Sequence, residues 1–214
     1  MSGSRPVVGV TGLPCAGKSF VANLLASGEV TGEPGRALEA DGIGHRILED
    51  REVVAALVDR FGPRVTDAEG RIVRAAMADI VFADPAELAW LERLTHPRID
   101  AVVADFVRET AGRRMVIVEA ALLFAAGLEK LCGLVLVVEA DLAVRRRRAA
   151  RRGWNAGELA RREARLVPLF AEAGERDGGP RLAYIENNEE NGHGELTERL
   201  RRAMAEATAR KGNV

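Results

Sequence analysis

The sequence predicts an α/β protein, a parallel sheet of five strands covered by helices on both faces. Three observations predict it. Short apolar runs rich in β-branched residues alternate with helical stretches, the pattern of a doubly wound parallel sheet. The first run, Val7 to Val10, leads into a Gly-rich turn and then a helix. Between the second and third runs lies a succession of helical patterns, residues 42–112, too long for a simple crossover.

Met1 to Pro6 reads as a loose lead-in, and Val7, Val8 and Val10 as a buried strand. Gly12-Leu13-Pro14-Cys15-Ala16-Gly17-Lys18-Ser19 follows, matching the P-loop pattern G-x-x-x-x-G-K-S, and Phe20 to about Ser27 continues as a helix. The chemistry explains these residue types. Gly12 and Gly17 let the backbone bend closely around a polyphosphate. The loop N–H groups form a nest, and the new helix adds its N-terminal dipole. Lys18 meets the β- and γ-phosphates, and the Ser19 hydroxyl can ligate Mg²⁺. Pro14 removes one donor from the nest. Cys15 has two readings, a thiol made reactive by the helix N-terminus or a small neutral spacer. The pattern places the chain in the P-loop nucleoside-triphosphate hydrolase-like three-layer class.

Thr31 to Gly35 is a turn cluster, and Arg36 to Ala40 a second strand ending at Asp41. There Asp41 stands at the sheet edge where ligands bind, as a general base or as a cap of the next helix. Val53, Val54, Leu57, Val58 and Phe61 recur at helical spacing until Gly62-Pro63. Asp67 to Gly70 is a turn. Arg74 to Phe82 and Pro85 to Leu94 are two more helices, the second with Asp84 as N-cap and Pro85 at its first position. His96-Pro97 is expected to break the chain before a helix over Ile99 to Thr110. Insertions of this kind commonly bind an acceptor substrate.

Met115 to Val118 and Gly133 to Val138 are the next strands. Glu119 ends the first of them, either holding the Mg²⁺ shell or bonded to loop N–H groups. Arg145 to Arg148 follows, with Arg151, Arg152, Arg161, Arg162 and Arg165 beyond. Arg145, Arg148 and Arg152 share one helical face. Three readings fit this run: a solvated face, a nucleic-acid patch, and a lid over residues 145–170 that clamps a triphosphate, with Gly153-Trp154-Asn155 at its tip. The P-loop upstream favours the lid. Glu172 to Pro180 is polar, Leu182 to Ile185 is a last short strand, and Asn187, Asn188 and Gly192 make a turn. Glu195 to Arg210 is an amphipathic helix with Leu196, Leu200 and Met204 inward.

The bulk composition narrows the partners. The 214 residues suffice for one α/β domain with an insertion. A net charge of −1 gives no argument for nucleic acid or anionic membrane, and 4% aromatic residues leave little for base stacking. Two cysteines make no disulfide framework, so a reducing cytoplasm is expected. No run is apolar and long enough for a membrane span.

The two strand-end carboxylates, the phosphate loop, the Arg-rich arm and the insertion are the parts of a small-molecule phosphotransferase. In this order they resemble the dephospho-coenzyme A kinases. The family's G-L-T-G-G-I-G-S-G-K-S-T is similar to Gly9 to Phe20, and its D-A-D-x-I-x-H to Glu39 to His45. Phe61-Gly62, Asp67 to Arg74, Val81 to Pro85 and Leu94 to Pro97 match F-G, D-x-x-G-x-x-x-R, V-F-x-D-P and L-x-H-P. Glu119 to Ala125 resembles D-x-P-L-L-F-E. The resemblance runs from about Val7 to Val138, and more loosely beyond.

It implies transfer of the ATP γ-phosphate to the ribose 3′-hydroxyl of dephospho-coenzyme A, with ATP and Mg²⁺ as cofactors. It implies Asp41 as base, with Lys18 and Arg148 assisting the transfer. Gly12, Leu13, Pro14, Cys15, Ala16, Gly17, Lys18, Ser19, Phe20, Arg152 and Asn187 would hold ATP, and Ser19 and Glu119 the metal. Asp41, His45, Arg74, His96 and Leu123 would meet the acceptor, or, for His96, brace the insertion. The sequence departs from the family at Glu39, Glu119, Ala121, Ala125, Phe20, Gly153 and the stretch Ile185-Glu186-Asn187-Asn188. Two alternatives stand beside this reading: a P-loop kinase of another nucleoside or small alcohol, and a degenerate nucleotide-binding regulatory module.

Overall fold

The computed structural model describes residues 7–81, 83–110, 114–173, 179–188 and 193–209. The lead-in Met1 to Pro6, Phe82, residues 174–178 of the polar stretch and Gly192 lie outside the described residues. The chain divides into two compact units, Met1–Glu39 with Phe106–Val214, and Ala40–Asp105.

The first unit is built on a parallel five-stranded sheet. Its strands are β1 (Val7–Gly12), β2 (Arg36–Glu39), β3 (Val116–Glu119), β4 (Leu134–Glu139) and β5 (Arg181–Glu186), in the order β2-β3-β1-β4-β5. β1 is central and is buried on both faces. Val8 and Val10 are fully buried, and so is Thr11 on the opposite face. The register sets Val10 beside Glu119 of β3 and Gly12 beside Val138 of β4. The carboxyl end of β1 is therefore flanked by the carboxyl ends of both neighbours.

Helices α1 (Lys18–Ser27) and α8 (Gly194–Ala209) cover one face. Val21, Leu24 and Leu25 of α1 and Leu196, Leu200 and Met204 of α8 join Val8, Val10, Leu134 and Leu136 in one core. The inward positions expected for the last helix are thus buried. α6 (Leu142–Arg151) and α7 (Ala156–Ala173) follow β4. Between them Gly153 turns the chain at φ +77°, a left-handed conformation that favours glycine.

The second unit is helical: α2 (Ala40–Ile47), α3 (Arg51–Phe61), α4 (Arg74–Val81) and most of α5 (Pro85–Thr110). Asp50 caps α3, accepting from the N–H groups of Glu52 at 2.9 Å and Val53 at 3.4 Å. Gly62 ends that helix, as expected, at φ +74°. Asp84 starts α5, its carboxylate accepting from the Ala86 N–H at 2.8 Å.

Two expectations are corrected. β2 stops at Glu39, so Asp41 lies in the first turn of α2 and not at a strand end. A carboxylate there complements the helix dipole from inside the helix. His96-Pro97 does not break the chain, because α5 runs continuously through Pro97. Proline lacks the N–H for the carbonyl of Arg93 and crowds that turn. Two carbonyls near that turn also accept side-chain donors. Thr95 Oγ1 donates to Leu91 O at 2.9 Å, and Arg98 Nη1 to Leu94 O at 2.9 Å.

Candidate functional site

The site of the first unit begins where β1 ends. Residues 13–17 turn tightly, with the Ala16 N–H on Leu13 O at 3.2 Å. Gly12 has φ +148°, and a Cβ there would stand 2.1 Å from Val138 O. Gly17 has φ +100°, and a Cβ there would stand 2.1 Å from Asn187 Nδ2. Neither position admits a side chain. α1 then starts at Lys18, so the first-turn N–H groups lack helical acceptors and are available to an anion. Lys18 Nζ lies over the loop, donating to Gly12 O at 3.2 Å and Leu13 O at 3.4 Å.

Ser19 and Glu119 meet. Ser19 Oγ donates to Glu119 Oε1 at 2.9 Å across 100 residues of chain. Glu119 is buried at the end of β3, opposite Val10. A hydroxyl and a carboxylate side by side at a phosphate loop are hard oxygen donors, the set that Mg²⁺ takes with substrate phosphates. The residues present fit that ion.

Arg148 and Asn187 converge on the loop from the far side of the sequence. Arg148 Nη1 donates to Ala16 O at 3.0 Å and Cys15 O at 3.3 Å. Its Nη2 donates to Asn187 O at 3.0 Å. Asn187, buried, donates from Nδ2 to Ala16 O at 2.8 Å. Arg152, one turn further on, is exposed, and its guanidinium carbon lies 5.9 Å from the centre of the Trp154 ring. Arg162 stacks closer on that ring, at 4.1 Å. Arg145 is buried and paired with Glu163, which sets it apart from the solvated-face reading.

Cys15 is the one non-glycine at positive φ among the described residues, at +61°. It is buried against Ala149 and Leu159. That packing makes it the spacer, not an exposed thiol. Cys132 is also a free buried cysteine, and burial pushes its thiol up to about 12, with the charge of Glu129 acting the same way. Phe20 is 45% exposed and meets His193 edge-on at 5.8 Å. Leu123 is fully buried, close against Gly9, and packs the core. Its neighbour Leu122, 48% exposed, is the residue of that stretch open to solvent. A cavity of about 500 Å³ adjoins the loop at Leu13, lined by Val137, Glu139, Phe170 and Tyr184 among others.

The second unit carries the remaining candidates. Asp41 and His45 stand one turn apart on the same side of α2. Gly44 of α2 faces Ile99 of α5, where a Cβ would make an ordinary contact with Ile99 Cδ1 at 3.9 Å. His96, three residues before Ile99, shares that face of α5 and is half-buried. Arg74 opens α4 and is exposed. The role of Arg148 and Asn187 toward the loop carbonyls was missed in the sequence. Only the spacing of Arg148 on its helix was visible there, not its partners 132 and 39 residues away.

Known proteins are similar to this chain. A family model described as dephospho-CoA kinase matches residues 6–171. A dephospho-CoA kinase of Chlorobaculum tepidum is 39% identical over 164 residues, 73% of this chain and 76% of that one. One of Rhodopirellula baltica is 34% identical over 168 residues, 76% of each chain. The crystal structure of TT1252 from Thermus thermophilus superposes with a TM-score of 0.73 at 29% identity, covering 98% of this chain and 99% of that one. A dephospho-CoA kinase from Campylobacter jejuni, at 21% identity and a TM-score of 0.53, shares the fold over 95% of this chain and 97% of its own. With the loop, its carboxylate partner and a matching model over most of its length, the chain belongs to the dephospho-CoA kinase family.

Proposed function

We propose that this protein transfers the γ-phosphoryl group of ATP to the ribose 3′-hydroxyl of dephospho-coenzyme A, giving coenzyme A and ADP. The observation that carries the reading is the Ser19–Glu119 contact beside a P-loop whose two glycines admit no Cβ. The loop N–H groups and Lys18 hold the β- and γ-phosphates and draw charge toward the leaving oxygen. Ser19 and Glu119 hold the Mg²⁺. That ion, when bound, neutralises charge shared by the β- and γ-oxygens.

Asp41 takes the proton of the 3′-hydroxyl as its oxygen forms the new bond to phosphorus and the bond to the ADP oxygen breaks. His45, Arg74 and His96 of the helical unit hold the acceptor, within the insertion read as residues 42–112. The arm over residues 145–170 closes on the donor, with Arg152 bringing positive charge. The protein works in the cytoplasm, on small molecules.

The test measures ADP release with ATP and Mg²⁺, with and without dephospho-coenzyme A, in wild type and Asp41→Asn. The acceptor is expected to stimulate release, and Asp41→Asn to lower kcat by about 10²- to 10⁴-fold. No stimulation in the wild type overturns the acceptor assignment. An Asp41→Asn enzyme as fast as wild type overturns the base assignment alone.

A further inference from the structure

We infer that Arg148 and Asn187 are positioning residues that clamp the carbonyl side of the phosphate loop, so that the Gly17 N–H is held toward the anion. The inference rests on the reading that this loop binds a nucleoside triphosphate. It differs from the role that the family resemblance implies for Arg148, a direct partner of the transferred phosphoryl group.

The geometry is specific to one peptide plane. The carbonyl of Ala16 accepts two donors, Arg148 Nη1 at 3.0 Å and Asn187 Nδ2 at 2.8 Å. A trans peptide points its C=O and N–H in opposite directions. Fixing Ala16 O on one side therefore fixes the Gly17 N–H on the other. The clamp is itself braced. Arg148 Nη2 donates to Asn187 O at 3.0 Å and reaches Asn187 Oδ1 at 3.4 Å. Asn187 is held further by its own N–H on Glu139 O at 2.8 Å. It is 2% exposed, so its amide lies against protein and is not a surface group awaiting a ligand.

The loop has reason to need such a clamp. Pro14 contributes no N–H, so fewer donors fix the loop from within. Cys15 sits at φ +61°, a conformation that is strained for a non-glycine residue and persists only where the surroundings impose it. Arg148 imposes it directly, since Nη1 also donates to Cys15 O at 3.3 Å. Gly17 carries the matching demand: a Cβ there would run into Asn187 Nδ2 at 2.1 Å. The glycine of the motif is thus required by the clamp as well as by the anion.

Inorganic tripolyphosphate with Mg²⁺ tests this, because it reports the loop without nucleoside or acceptor. Its affinity is measured by calorimetry in wild type, Arg148→Ala, Asn187→Ala and the double variant, alongside kcat at saturating ATP. Each single change is expected to weaken tripolyphosphate by about 5- to 10-fold, the size of one lost charged or buried hydrogen bond. The double variant is expected to weaken it by about 10-fold, well short of the product, because both donors act on the Ala16 carbonyl. Arg148→Lys, which keeps one donor, should recover part of the loss. Two results overturn the clamp: singles whose effects multiply in the double, or an Arg148→Ala enzyme that binds tripolyphosphate normally while kcat falls more than about 100-fold. If Arg148→Ala melts below the assay temperature, Asn187→Ala and Arg148→Lys decide by the same affinity readout. A wild type that binds neither tripolyphosphate nor ATP defeats the kinase reading itself. One that binds both but is not stimulated by dephospho-coenzyme A leaves the clamp standing and defeats only the acceptor assignment.

Discussion

The end of the sheet around the phosphate loop and the helical unit Ala40–Asp105 are held together by different means. At the loop three polar contacts are long-range: Ser19 with Glu119, Arg148 with Ala16, Asn187 with Ala16, separated by 100, 132 and 171 residues. Beneath them lies a core of fully buried side chains such as Val8, Leu25 and Leu136. In the helical unit most of the described polar contacts are local. Asp50 caps its own helix. Asp67 accepts from the N–H groups of Arg71 at 2.9 Å and Glu69 at 3.1 Å, and these bonds, that of Arg71 foremost, hold its carboxyl below the ordinary range. Arg60 pairs with Glu87 while lying 4.7 Å over the Trp90 ring. Long-range contacts in a close-packed core open only with global unfolding, whereas locally stabilised segments open at lower cost. A site that must hold an anion rigidly suits the first, and one that must admit a large acceptor suits the second.

The largest test of the rigid end is chemical. Lys18→Ala should remove turnover by about 10³-fold or more, because no other group in the loop supplies its positive charge, and should scarcely move the melting midpoint. Both are read from a steady-state assay and a thermal melt. Next comes packing. Leu136→Ala in the sheet and Leu57→Ala in α3 each remove a fully buried side chain and should cost about 2–5 kcal/mol. Hydrogen exchange tells the regions apart: Leu57→Ala should speed exchange within residues 40–105, and Leu136→Ala throughout. If Leu57→Ala loosens β1 and β4 as much as α3, the two regions open as one and the contrast fails.

A pH titration sharpens the contrast further. The Cys132 thiol is raised from 9.0 to about 12 in the folded protein. Its contribution is complete below pH 9 and is lost as pH rises through 12, since the unfolded thiol ionises first. Unfolding free energy should therefore fall less steeply above pH 9 in Cys132→Ala, by up to ~1.4 kcal/mol per pH unit. Below pH 8 the two slopes should coincide. The smallest effect belongs to the local region, where Asp50→Ala should cost about 1 kcal/mol of stability by chemical denaturation.

The same contrast explains what could be seen in the sequence. β1, β3 and β4 were visible because buried parallel strands are continuous apolar runs, β2 because a turn cluster precedes it, and the loop because its donors and glycines are consecutive. The Asp84 cap was also visible, being local. Pro97 misled because a proline inside a helical pattern usually marks its end, whereas α5 continues through it. Asp41 misled by a residue or two, since nothing in Arg36 to Ala40 marks where extended backbone yields to helix. Leu123 belongs to a family motif, yet motif membership does not say which of two adjacent leucines faces inward. The partners of Arg148 were invisible, because only the folded sheet brings residues 16, 148 and 187 together.

The sheet order β2-β3-β1-β4-β5 also has a consequence for how the protein is made. The loop sequence is synthesised near the start of the described chain, but β1 gains its neighbours only with β3 and β4, more than a hundred residues later. Closing such loops is what slows folding of non-local topologies. Nucleotide stabilises only the species that binds it. Until Asn187 has left the ribosome its contacts with Ala16 and Arg148 cannot form, so the surroundings of the loop are completed only late in synthesis.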